Sequence, residues 1–127
     1  MNNRRKYPRI QIEQDVDLRL HDLSGESRLT GRASARLVDL SRQGAGLKFS
    51  QVLIDGRHLF YTALDSATMV IEIAFRPTND APEEMPPLLA HPVWLDRDME
   101  DSATPFRMGV QFIDEIPSAV FSRLIQG

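Results

Sequence analysis

Cysteine is absent from the 127 residues, which excludes disulfides and thiolate metal sites and fits a reducing compartment. Long apolar runs are absent too. Nothing approaches the ~18 residues needed to span a bilayer, and the N-terminus lacks the hydrophobic region of a signal peptide. A cytoplasmic protein without membrane insertion is therefore expected. Neither sign of charge is in large excess: 15 Lys and Arg against 18 Asp and Glu leave a formal net charge of -3. That argues against non-specific binding to nucleic acid or anionic membranes, but leaves room for a local basic site.

The signatures of catalysis are missing as well: no G-x-S-x-G elbow, no Walker loop and no G-x-G-x-x-G. His21, His58 and His91 stand in unrelated contexts without metal-ligand spacing. The run DRDMED sets out Asp96, Asp98 and Glu100 like the start of a calcium loop. It lacks the sixth-position glycine, and Arg107 stands where the bidentate glutamate belongs. No enzyme, metal site or cofactor is expected. With neither internal repeats nor low-complexity segments, residues 1–127 read as one domain.

What the chain does have is alternation at period two, the pattern of half-buried strands. In DVDLRL, Val16, Leu18 and Leu20 point one way while Asp15, Asp17 and Arg19 point the other. A turn-rich DLSGES follows, then ASARLVDL and GLKF as two more strands. TMVIEIAF carries apolar residues at both phases and so predicts a strand covered on both sides. LLAHPVWL contains Pro92, which needs an edge or a bulge because it lacks a ladder donor. FRMGVQF puts Phe106, Met108, Val110 and Phe112 on one face.

Six strands in so short a chain predict an all-β domain, a closed or nearly closed antiparallel barrel, since closure removes exposed edges. Two connections look expanded. Residues 50–67 support a short helix or an extra strand, and the proline- and acid-rich 76–87 reads as a solvated loop. At the C-terminus, Val120, Phe121, Leu124 and Ile125 share one face of a helix over 117–126. Trp94 is read as a core or rim aromatic rather than a substrate platform.

Two clusters stand out. Near the N-terminus, RRKYPR places Arg5 and Arg9 four residues apart just before the first strand, with Arg4 and Lys6 adding positive charge. An arginine fork binds phosphate bidentately and can address guanine O6 and N7. Pro8 stiffens the spacer. By composition alone, such a hexamer is a solvated tail. The second cluster is DLSRQGAG, between the second and third strands. Asp39 can accept hydrogen bonds, the Ser41 hydroxyl can donate to phosphate or hold the turn, and Gly44 and Gly46 allow positive φ or close approach by a ligand. By itself, this is good turn chemistry. Together, the clusters set arginines suited to phosphate beside a carboxylate suited to guanine N1–H and N2–H.

R-x-x-x-R before the first strand, followed some thirty residues later by D-x-S-x-x-G, resembles the PilZ domain. The likeness extends over nearly the whole chain, through Val93-Trp94, the G-V-x-F at Gly109–Phe112 and the closing helix. It implies a six-stranded antiparallel β-barrel of PilZ-like, split-barrel type with a C-terminal helix, and a receptor for cyclic di-GMP. On this resemblance Arg5, Arg9, Asp39, Ser41 and Gly44 are the ligand-binding residues, with Arg4 as a further basic contact. Arg42 lies at a variable position of the second motif. Residues 1–9 are expected to form a flexible segment that clamps the ligand. Output is expected to pass through a protein partner, from a monomer or homodimer. The alternative is an adaptor of the same fold that binds no nucleotide. The chain departs from the family's common pattern in residues 50–67 and in the acidic proline loop.

Overall fold

The computed structural model describes residues 8–25, 27–28, 30–64, 66–76 and 85–126. Arg4 and Arg5 therefore lie outside the described residues, as does most of the proline-rich connection. The alternating segments form β1 (Ile10–Asp22), β3 (Ala33–Leu40), β4 (Gly44–Phe49), β7 (Met69–Phe75), β8 (Leu88–Arg97) and β9 (Phe106–Phe112), while β2 (Ser27–Arg28) is a short hairpin partner of β1. Each pairs antiparallel with its neighbours in the order β1-β3-β4-β9-β8-β7. β1 is long enough to work twice. Its first part pairs with β3 from Ile10 to Leu18, and its second with β7 from Val16 to Asp22. That double use closes a six-stranded antiparallel barrel.

The alternation explains the core. Val16, Leu18 and Leu20 of β1 are fully buried with Leu37, Leu47, Phe49, Ile71, Ile73 and Met108 from the other strands. β7 is covered on both sides, as its sequence predicts: Val70 is buried opposite the barrel interior, and so is Glu72, at 2% exposure. The Glu72 carboxylate accepts a hydrogen bond from Arg19 Nε on β1, and His21 Nδ1 lies 3.5 Å from its second oxygen. A buried carboxylate needs such a partner.

Residues 50–67 hold both a strand pair and a helix. β5 (Leu53–Ile54) and β6 (Arg57–His58) form a two-residue hairpin, with Asp55 and Gly56 at φ of 53° and 79°. Two positive φ values are what a type I′ turn requires, and Asp-Gly is a preferred pair for it. Helix α1 (Leu59–Leu64) follows and buries Leu59, Phe60 and Ala63 into the core, packing on β8 and β7. His58 opens this helix: its Nδ1 accepts the backbone N–H groups of Phe60 and Tyr61, each at 3.2 Å.

At the other end, α2 (Ser118–Gln126) buries Leu124 and half-buries Val120 and Phe121. Ile125, expected on the same face, is exposed at the helix edge. Ile116, just ahead of α2, is fully buried instead and anchors the entry to the helix. No helix among the described residues is long and apolar enough to cross a membrane.

Burial lowers the His58 pKa below its ordinary 6.5. Between those two values the unfolded chain binds more protons than the folded one. His58 thus contributes stability that is complete above about pH 6.5 and is lost as the pH falls through the folded value. Asparagine caps a helix at any pH. Thermal melts should therefore show the wild type losing more stability than His58→Asn between about pH 7.5 and about pH 5. Parallel losses would refute the histidine cap.

Candidate functional site

Strict alternation would turn Asp39 into the barrel, because Ala33, Ala35 and Leu37 all face the core. One residue of β3, Val38, separates Leu37 and Asp39, while their partners on β4, Leu47 and Gly46, are adjacent. The extra residue, Val38, is a β-bulge. It shifts the phase so that Leu40 fills the next core position and Asp39 faces outward. β8 repeats the device. Pro92 pairs with Val110 and Trp94 with Gly109, leaving Val93 as the extra residue. Pro92 is thus accommodated beside a bulge, and Trp94 turns to the outer wall. Bulges re-aim side chains in this way and are common near functional sites.

The two re-aimed side chains stand in one register row. Gln11, Asp39, Gly46, Gly109 and Trp94 are successive partners across β1, β3, β4, β9 and β8. The two glycines between the acid and the aromatic form a floor without side chains of its own. A Cβ at Gly46 would collide with the Asp39 carboxylate, and one at Gly109 would enter the Trp94 indole. With strands ~4.8 Å apart, three spacings put the backbones of Asp39 and Trp94 roughly 14 Å from each other. The Asp39 carboxylate and the Trp94 indole lean toward each other over that strip, each covering one glycine.

The floor borders a cleft of about 210 Å³ lined by Arg9, Ser41, Gln43, Gly44, Val93, Trp94, Gly109, Val110 and Gln111. Three of the residues named by the two sequence motifs, Arg9, Ser41 and Gly44, therefore line one cleft. Asp39 adjoins it through Arg9, whose Nη1 donates to Asp39 Oδ1 at 2.6 Å. The pair is partly shielded, with side chains 24% and 29% exposed. The Arg9 Nε is buried and has no hydrogen-bond acceptor among the described residues. Leaving such a donor unmatched is costly, so the fork is only part-used.

Ser41 is 4% exposed and holds the β3–β4 turn. Its Oγ accepts the N–H groups of Gln43 and Gly44 at 3.1 and 3.2 Å, and its own N–H donates to the Gly44 carbonyl. Of the two roles its sequence context allows, the turn is the one seen. Gly44 and Gly46 have no positive φ. What requires Gly44 is close packing, since a Cβ there would meet the Val110 carbonyl oxygen. Arg42 points away from the cleft: its Nε donates to the Ile116 carbonyl, and the Ile116 N–H returns to the Arg42 carbonyl, both at 2.9 Å. The turn is thereby tied to the segment entering α2.

Of the core and rim positions expected for Trp94, the core is not the one seen: the residue is 45% exposed and walls the cleft, a place that sequence reasoning did not give it. The local signal was the Pro-Val-Trp phase break, and the glycine paired opposite is Gly109. Elsewhere, the DRDMED stretch leads to Asp101, which pairs with Lys48 at 2.8 Å. Lys48, then Thr104, hold that carboxyl well below the usual carboxylate range. Among the described residues no group of His, Asp and Glu is arranged to hold a metal.

A closed six-stranded antiparallel barrel with a short C-terminal helix defines a PilZ-like fold. No protein-family model matches the sequence, and no curated protein matches it. Among solved structures the chain is similar to the Bacillus subtilis inhibitor of motility (MotI/DgrA), with a TM-score of 0.56 and 18% identity. The likeness covers 98% of this chain and 49% of that one, so the chain spans about half the length of this neighbour. At that identity it concerns the fold.

Because Trp94 is the single tryptophan, its fluorescence reports on the cleft alone. Gly109→Ala should push the indole off the floor, shift its emission to longer wavelength and cost ~1–3 kcal/mol in denaturant melts. An unchanged spectrum would mean that the ring does not rest on Gly109.

Proposed function

We propose that the cleft is a guanine-nucleotide site, that its ligand is cyclic di-GMP, and that the chain is a PilZ-domain receptor acting as an adaptor rather than an enzyme. The observation that carries this reading is the convergence of the two motifs. Arg9 from before β1, and Ser41 and Gly44 from the β3–β4 turn, line one cleft beside a solvent-facing tryptophan. Asp39 adjoins them through its ion pair with Arg9. Each class of side chain matches a part of the ligand: the arginine fork its phosphates, the carboxylate a guanine N1–H and N2–H edge, and the indole the face of a base.

The size of the cleft decides how much of the ligand it takes. At about 210 Å³ it is smaller than the roughly 300–1,000 Å³ of pockets that enclose a whole drug-sized ligand. In this proposal the cleft takes one base rather than the whole dinucleotide. The rest of the ligand lies over the rim, where Arg5 and Arg4 close on it. Ordering backbone costs ~1–2 kcal/mol per residue, and charge-assisted contacts of ~1.5–3 kcal/mol each offset it. The balance is fine enough to act as a switch, with a protein partner reading the reordered surface.

A second reading, the adaptor that binds no nucleotide, draws support from the Arg9–Asp39 ion pair, in which the two motif residues already engage each other. Calorimetry separates the two. Cyclic di-GMP should bind the wild type and quench Trp94. Arg9→Ala and Asp39→Ala should each lose ~2 kcal/mol or more, and Trp94→Ala ~1–3 kcal/mol. Absence of heat and of quenching at high micromolar ligand would overturn the receptor reading. Partner capture that is indifferent to ligand and to loss of Arg5 and Arg9 would establish the adaptor.

A further inference from the structure

A guanidinium and a guanine edge offer a carboxylate the same thing, a planar pair of N–H donors side by side. In this protein the guanidinium already holds the place. Arg9 Nη1 donates to Asp39 Oδ1 at 2.6 Å, while Oδ2 lies against the glycine floor at Gly46. Arg9 lines the cleft and Asp39 does not, so Asp39 adjoins the cleft through the guanidinium that it already holds. The Arg9 Nε, buried and without an acceptor among the described residues, leaves the fork incompletely satisfied where it is.

We propose that the Arg9–Asp39 pair is a guanine-selective latch. The N1–H and N2–H donors of an incoming guanine replace the guanidinium on Asp39, and the released Arg9 swings onto the ligand's phosphate. This inference rests on the reading of the cleft as a guanine-nucleotide site and adds its order of events and its selectivity. One donor on Asp39 gives way to two, so the carboxylate is never left bare in its half-shielded position. The guanidinium gains in turn, because a phosphate offers the bidentate match that one carboxylate oxygen does not.

Selectivity follows from the same exchange. The Watson–Crick edge of adenine presents one donor beside an acceptor, N1, whose lone pair would face the carboxylate. Adenine therefore cannot take the place of the guanidinium without leaving a charged acceptor unmatched, and the latch stays shut. A site built around a hydrogen-bonding partner rejects an analogue that lacks it more strongly than an apolar pocket does. Asp39 reads the base, and Arg9 sets the threshold that the base must exceed.

The latch predicts opposite signs from one substitution. Arg9→Met removes the donors but keeps the apolar stem, and Arg9→Ala serves as a second variant should the first fail to fold. Guanosine, which has no phosphate to gain from Arg9, should bind either variant several-fold tighter than it binds the wild type. Cyclic di-GMP should bind the same variants at least ~10-fold more weakly, having lost a phosphate contact. Adenosine should show no gain. Calorimetry and Trp94 quenching read all three. Guanosine binding that is weakened, unchanged or undetectable up to its solubility limit in both variants would overturn the latch, as would an equal gain for adenosine. Failure of the wild type to bind cyclic di-GMP would overturn the proposed ligand instead, and the guanosine arm would still decide the latch.

Discussion

Alternation on a closed barrel is the constraint on which everything else depends. Once β1 pairs on both sides and the sheet has no edges, each strand residue faces either core or solvent, and its neighbour the opposite. A one-residue slip would put leucines outside and carboxylates within. The barrel tolerates such a slip only where a bulge confines it. Two of these bulges, at Val38 and Val93, are the reason an acid and an aromatic meet on one outer wall. The core on the far side continues through Leu40 and Leu95, back in phase beyond the break.

Between the bulges, function is set as much by missing side chains as by present ones. The Asp39 carboxylate and the Trp94 ring both lie down over glycines, which fixes their heights above the sheet. Arg9 then completes the wall from the start of β1. Its ion pair with Asp39 is neither a fully exposed surface pair, worth little, nor a deeply buried one whose desolvation is costly. Partners at this intermediate depth can be exchanged. The β3–β4 turn, stapled by Ser41 and tied to Ile116 by Arg42, holds the second motif rigid beneath them.

Much of this was legible in the chain. ASARLVDL and FRMGVQF are read to the residue as strands, and the alternation of DVDLRL places the interior of β1 correctly. Pro92 announces a bulge because it cannot donate in a ladder. The excursion over 50–67 was harder because its signals are short and of two kinds. The Asp-Gly at 55–56 marks a hairpin, yet two-residue strands leave no alternation to detect, and a six-residue helix shows less than two turns of period. Ile125 was misplaced because the pattern of a short terminal helix cannot say where its supporting surface ends. Of the cleft, the motif residues and Val93-Trp94 were visible through the resemblance, but the tryptophan's place as a cleft wall was not. That place depends on which residue stands opposite it on the next strand, and no local pattern carries that information. The Val38 phase break was present in the spacing of Leu37 and Leu40, three apart where two is the rule.

The bare floor also bears on how such proteins diverge. Arginine and aspartate motifs are what a comparison of sequences would score, and neither includes Gly109. A single added methyl group at that position would tilt the tryptophan and narrow the cleft while every motif letter stayed intact. Two chains with the same motif letters can therefore differ in the shape of this cleft, and the letter that tells them apart lies on β9, seventy residues beyond Asp39.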